Sequence, residues 1–181
     1  DIIAIDPKTT ITPSGFIKSR FLDDKISAAI FLTLLKALKD ENVTLPQKTY
    51  FLFSTYEEVG HGASWIPGDV TELLAVDMGC IGTDLSCTET DVSICAKDSG
   101  GPYDYQMTSR LIELAQAHQL PYAVDIYPFY GSDCGAALKG GNDIRGALIG
   151  PGVHASHGME RTHMQGVSAA YTLLAAYLIE K

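Results

Sequence analysis

Short apolar runs alternate along the chain with longer segments in which apolar residues recur at helical spacing. The runs that predict strands are 49–55, 73–76, 92–97, 122–127 and 146–149. Helical spacing occurs over 26–38, over 104–118 and in a closing segment, where Thr162 and Gln165 have the spacing of a capping box. Strands that alternate with helices predict an α/β fold, a largely parallel mixed sheet with helices on both faces.

The length and charge of the chain indicate the number of domains and exclude some classes of partner. With 181 residues it is long enough for one domain with a substantial core. The net charge is −9 and no basic run is present, which argues against nucleic acid or an anionic membrane as the main partner. The most apolar stretches, 26–38 and 167–179, are shorter than the roughly 20 residues of a membrane span.

The four cysteines, Cys80, Cys87, Cys95 and Cys134, have no CxxC spacing. A core of the size that this chain allows needs no disulfide framework. We therefore expect a reducing, cytoplasmic environment.

Two adjacent carboxylates, Glu57 and Glu58, follow the predicted strand 49–55. Like charges at the end of a buried strand repel each other and lose hydration together, so such a pair needs a cation, a proton or access to solvent. A metal ion is the simplest explanation.

Other apolar runs also end at residues that can bind a metal ion. Asp23 follows residues 15–22, Asp77 follows 73–76, and the last strand leads into a loop with His154 and His157. Loops at the carboxyl ends of strands in open α/β sheets meet at one crevice, so these residues form a plausible hard-metal or zinc site. The spacing does not decide between the two histidines. Residues 131–133 (GSD) either line the crevice or cap the next helix, and pattern alone favours capping.

Five short motifs, which are spread over nearly the whole chain, indicate a family resemblance by their sequence and their order. They are residues 15–25 (GFIKSRFLDDK), 56–63 (YEEVGHGA), 75–79 (AVDMG), 131–133 (GSD) and 156–163 (SHGMERTH). The chain resembles the dinuclear-metal aminopeptidases that include the glutamyl and tetrahedral aminopeptidases, peptidase family forty-two of clan MH. The resemblance implies a zinc-peptidase-like αβα sandwich and hydrolysis of the amino-terminal residue of peptides.

The same resemblance assigns roles to individual residues. Asp23 would bridge two divalent ions, zinc or cobalt, through a segment in which the Asp23–Asp24 peptide bond is cis. Glu58 and His157 would complete the ligands of one ion, and Asp77 would bind the other. Glu57 would be the general base. Gly131, Ser132 and Asp133 would contact the substrate.

The chain departs from the family pattern in one respect. Family members carry an early His-x-Asp motif whose histidine binds the second ion, and this sequence contains no such motif. The chain therefore resembles the second half of a longer enzyme, with residues 1–10 as the tail of an inserted, dimerising β domain that is otherwise absent. We expect 1–181 to be one catalytic domain, and the full-length protein to be a homo-oligomer.

Two alternatives remain open at this stage. Related two-metal carboxypeptidases and deacylases share the order Asp, Glu-Glu, Asp, His, although residues 156–163 favour the aminopeptidase. The chain could also be a non-catalytic metal-binding module that assembles with another polypeptide.

Overall fold

Residues 2–180 are described by the computed structural model, and they build a mixed sheet with helices on both faces. The strands are β1 Thr10–Ile11, β2 Phe16–Ser19, β3 Glu72–Val76, β4 Gly79–Cys80, β5 Val92–Asp98, β6 Gly101–Pro102, β7 Tyr122–Ile126, β8 Arg145–Val153 and β9 Glu160–His163. The helices are α1 Leu22–Asp40, α2 Tyr105–Ala117, α3 Asp133–Lys139 and α4 Met164–Ile179.

The order β3–β8–β5–β7 forms the body of the main sheet. β3 lies parallel to β8, and β5 lies parallel to β7, but β5 and β8 are antiparallel. The short β4 extends the pairing along β8, and β6 folds back on the end of β5. The sheet is therefore mixed, as the sequence predicts.

Successive residues of the central strands point to opposite faces of the sheet. Val76, Ile94 and Ile149 pack with α1, α2 and α4 in the largest apolar cluster. Their neighbours on the other face, such as Cys95 and Leu148, pack with Cys134 of α3. This alternation explains why the strands read as continuous apolar runs, and it confirms the predicted αβα layering.

A second, three-stranded antiparallel sheet contains β1, β2 and β9. β9 is absent from the sequence-based prediction, which places Thr162 in the capping box of the last helix. Thr162 instead pairs with Ile17 in this sheet, and its hydroxyl donates to the carbonyl of Gly152. The helix begins at Met164, where Nδ1 of His163 accepts from the backbone N–H of Gln165. The prediction of the cap is therefore wrong, because Thr162 is engaged in the strand.

The predicted strand 49–55 is also wrong. Within residues 2–180 no strand pairs with these residues. Phe51 and Phe53 pack edge-on against Phe31 of α1, with ring centroids 5.4 and 5.6 Å away. The apolar pattern thus reflects packing against a helix, while the backbone hydrogen bonds that define a strand are missing.

Among residues 2–180, none of the helices combines the length and the hydrophobicity of a membrane-spanning segment.

Candidate metal centre

Three separate elements bring metal-binding side chains together. Asp23 lies at the start of α1, shortly after β2, and Glu58 lies in the short 3-10 turn Glu57–Val59. His157 lies in the loop between β8 and β9. One ligand atom from each of these residues lies within 4.8 Å of the other two.

The distances identify which histidine joins the carboxylates. Nε2 of His157 lies 3.1 Å from Oε2 of Glu58 and 3.4 Å from Oδ2 of Asp23. His154 instead pairs with the backbone of Arg161, and it is exposed. The structure thus separates two histidines that the sequence pattern leaves equivalent.

Glu160 holds the two sides of this cluster together. One of its carboxylate oxygens accepts from the backbone N–H of Asp23 at 2.9 Å, and the other accepts from the N–H of His157 at 3.0 Å. The residue is only 1% exposed. The sequence analysis assigns Glu160 no role, because it predicts no strand at this position and the burial of the carboxylate is visible only in the structure.

Further carboxylates surround the cluster. Asp77 follows β3 and is 5% exposed, and one of its oxygens accepts from the N–H of Met78. Burial raises the pKa of Asp77 well above its usual value, and the charges of Asp24 and Asp23 raise it further. Burial likewise raises the pKa of Asp24 to about 8, and one oxygen of Asp24 is buried without a hydrogen-bond partner. The Asp23–Asp24 peptide bond is cis.

Glu57 lies beside the cluster but is not part of the three-residue set. Burial raises its pKa to about 7, and the charges of Asp133 and Glu58 contribute to the same shift. A carboxylate with a pKa near neutrality can both accept and return a proton at physiological pH.

Residues 131–133 have three different environments. The hydroxyl of Ser132 is buried and shares a 2.8 Å hydrogen bond with Tyr103, which donates to Asp98 at 2.7 Å. Although Ser132 precedes α3, its side chain does not cap the helix. Asp133 accepts from Ser54 at 2.6 Å, its other oxygen is buried without a partner, and its charge acts on Glu57. Gly131 is exposed.

The donor set suits a divalent ion. One imidazole nitrogen and two carboxylates are typical ligands of zinc, and three protein ligands leave a position for water. One oxygen of Asp24 is buried without a hydrogen-bond partner, and the neighbouring carboxylates repel one another. A cation bound at this site would neutralise the negative charge.

The sequence profile of the M42 glutamyl aminopeptidases matches residues 1–173. The chain belongs to this family. The curated protein "Putative aminopeptidase YhfE" of Bacillus subtilis (strain 168) is 50% identical over 179 residues. That match covers 98% of this chain and 52% of the relative, so the chain spans about half the length of the relative.

Solved structures share the fold. The TET1 peptidase of Pyrococcus horikoshii, described as assembling into a tetrahedron or a large octahedral shell, superposes with a TM-score of 0.81 at 18% identity. That likeness covers 96% of this chain and 54% of TET1. The TET aminopeptidase of Thaumarchaeota archaeon SCGC AB-539-E09 has a TM-score of 0.80 at 16% identity, over 95% of this chain and 51% of its own. The predicted family and αβα fold are thus confirmed.

Proposed function

We propose that this M42 chain is the metal-binding part of an aminopeptidase that removes the amino-terminal residue of peptides. The observation that carries the proposal is the convergence of Asp23, Glu58 and His157 within 4.8 Å, in a chain of this family. Residues 1–181 would form one catalytic domain, with residues 1–10 as the tail of an inserted domain.

The carboxylates divide between two proposed ion sites, occupied by zinc or cobalt. Glu58 and His157 would hold the first ion, Asp23 would contribute to both sites, and Asp77 would belong to the second. Asp77 lies within electrostatic range of Asp23, but it is not in the three-residue cluster. The second site would take its histidine ligand from a segment of the longer protein, because the His-x-Asp motif of the family does not occur in this sequence.

Glu57 is the proposed general base. When bound, the two ions would make a water molecule more acidic and stabilise negative charge on the peptide carbonyl oxygen. Glu57 would accept the proton of that water and return it to the leaving amine, because it lies beside the cluster without being one of its three ligands.

Asp133 is the proposed contact for the substrate's amino terminus. Its carboxylate lies on the Glu57 side of the cluster and has one oxygen without a partner. A cationic amine would satisfy that oxygen and offset the local negative charge. Gly131 would line the same region, while Ser132 would hold the loop through Tyr103.

The test measures metal content by elemental analysis and hydrolysis of a panel of amino-acid p-nitroanilides, with and without added zinc or cobalt. Glu57→Gln should reduce turnover at least 100-fold and leave metal binding intact, since general-base catalysis typically contributes 100- to 10,000-fold. Glu113→Gln makes the same chemical change on the exposed surface of α2 and should have no effect. Unchanged turnover in Glu57→Gln would exclude this residue from the mechanism.

Failure of the chain to bind any ion would exclude the proposed centre. Binding of one ion without turnover would indicate that catalysis needs the segment outside this chain. We also propose that the complete protein is a cytoplasmic homo-oligomer, in keeping with its free cysteines and with the assemblies described for the TET1 peptidase.

A further inference from the structure

Glu58 needs a support other than Glu160. The carboxylate of Glu160 holds the backbones of the other two ligands in the three-residue cluster. Within residues 2–180, the segment 49–55 that leads to Glu58 makes no backbone-to-backbone hydrogen bond. The backbone hydrogen bonds of the turn itself join residues within 56–61. The position of the turn relative to the main sheet therefore depends on side chains.

Ser54 and Gly62 lie on either side of the turn, and both contact Asp133. The hydroxyl of Ser54 donates to Oδ2 of Asp133 at 2.6 Å. A Cβ atom at Gly62 would lie 2.5 Å from Oδ1 of Asp133 and 2.6 Å from Oγ of Ser54, so only glycine leaves room for this approach. Asp133 is the first residue of α3, whose Cys134 packs in the sheet core. The two ends of the turn thus meet at a residue that the main sheet supports.

A buried hydrogen-bonded chain fixes the residue before Asp133. The hydroxyl of Ser132 shares a 2.8 Å hydrogen bond with Tyr103, and Tyr103 donates to Oδ2 of Asp98 at 2.7 Å. The other oxygen of Asp98 accepts from the N–H of Gly100 at 2.7 Å. Asp98 and Ser132 are 3% and 7% exposed. A buried polar network whose members are paired in this way is rigid.

The hydrogen bonds of this chain run in one direction. A carboxylate only accepts, so the single hydroxyl proton of Tyr103 goes to Asp98. The oxygen of Tyr103 then accepts from Ser132, which has one proton to give. Burial raises the pKa of Tyr103 above its usual value, and the phenol therefore keeps its proton. Ser132 has no proton left for a substrate, and its hydroxyl instead holds the loop that ends at Asp133.

Tyr103 is itself held by the backbone of the main sheet. Its N–H donates to the carbonyl of Ala96 at 3.1 Å, and the N–H of the next residue donates to the carbonyl of Gly146 at 2.8 Å. Ala96 belongs to β5 and Gly146 belongs to β8. The hydrogen-bonded chain therefore begins at the two central strands.

We propose that this chain of side chains positions Glu58 for the metal ion. The positioning residues, from the sheet to the turn, are Asp98, Tyr103, Ser132, Asp133 and Ser54. Each of them acts through the next, and Ser54 passes the constraint to the turn three residues later. The inference rests on the proposed function, because Glu58 is a ligand only if the metal centre exists.

Calorimetric titration of the purified chain with zinc tests the last link. Ser54→Ala removes the hydroxyl that donates to Asp133 and should weaken zinc binding about 10-fold or more, the usual effect of losing a group that orients a ligand. Ser54→Thr keeps a hydroxyl at the same place and should restore most of the affinity. A loss that reflected only altered packing would not follow the hydroxyl in this way.

Tyr103→Phe tests the other end of the chain of side chains. It removes only the hydroxyl between Asp98 and Ser132, and it should also weaken zinc binding, although Tyr103 belongs to a different segment from the three ligands. Tyr105→Phe makes the same chemical change at a side chain that is 84% exposed, and it should bind zinc like the parent chain.

The double variant Ser54→Ala/Tyr103→Phe shows whether the two residues act together. If both belong to one chain, the second substitution should add little to the loss that the first one causes. Losses of zinc affinity that simply multiply would overturn the proposal, because independent effects combine in that way. Ser54 is only half-buried, so Ser54→Ala still decides the question if Tyr103→Phe does not fold.

The titrations separate this inference from the proposed function. A parent chain that binds no zinc would refute the metal centre, and the positioning role with it. A parent chain that binds zinc, with unchanged affinity in Ser54→Ala, would overturn the positioning role alone. Equal losses in Ser54→Ala and Ser54→Thr would also overturn it, since the hydroxyl would then have no part in the effect.

Discussion

Replacing Glu160 by glutamine should loosen the candidate metal centre and destabilise the fold. The carboxylate presents an acceptor oxygen to the N–H of Asp23 and a second one to the N–H of His157. Glutamine has the same shape but only one acceptor, so one of these N–H groups would face an NH₂ group. The variant therefore loses one hydrogen bond and leaves a donor unsatisfied at a site that is 1% exposed.

The expected magnitude follows from these contacts. A hydrogen bond to a charged group contributes about 1.5–3 kcal/mol, and an unsatisfied buried donor costs about 1–3 kcal/mol. Because the two values overlap, we expect the free energy of unfolding to fall by about 2–4 kcal/mol. Asp23 and His157, two proposed ligands, would also no longer be held by the same carboxylate. Zinc affinity should therefore fall about 10- to 100-fold.

Urea unfolding without metal measures the first effect, and calorimetric titration with zinc measures the second. Glu113→Gln is the matched control, because Glu113 is exposed and its ion pair with Arg110 lies at the surface. A Glu160→Gln variant that unfolds within about 0.5 kcal/mol of the parent chain, with unchanged zinc affinity, would refute the anchoring role.

Two further predictions follow from the same structure. His157→Ala should abolish tight zinc binding, whereas His154→Ala should retain it, since of these two histidines it is His157 that contacts Asp23 and Glu58. Equal losses of zinc affinity in a calorimetric titration would contradict this assignment of the ligand. Burial raises the pKa of the Cys80, Cys95 and Cys134 thiols from about 9 to about 12, so their thiolate fraction at pH 8 falls about a thousandfold. These thiols should react with a disulfide reagent only after unfolding in urea, and fast reaction of any of the three in the native chain would disprove their protection.

The pattern of apolar runs determined the layers of the fold. Buried central strands carry apolar residues on both faces, so continuous apolar runs in the sequence predict β5 and β8. Helical spacing likewise located α1 and α2, because a helix that covers a sheet must keep one face apolar. The motifs around Asp23, Glu58 and His157 were sufficient to indicate the family, which the profile match confirmed.

Only the tertiary structure decided contacts between residues that are distant in sequence. It placed His157 rather than His154 beside Glu58, because His154 is bridged to Arg161 while His157 lies farther along the loop between β8 and β9. It assigned Glu160 a role that depends on two backbone groups from different segments. It also showed that residues 49–55, although their composition is typical of a strand, are not hydrogen-bonded to a neighbouring strand within residues 2–180. Composition determines which residues can be buried, but hydrogen bonding requires a partner, and a local pattern does not specify where that partner lies.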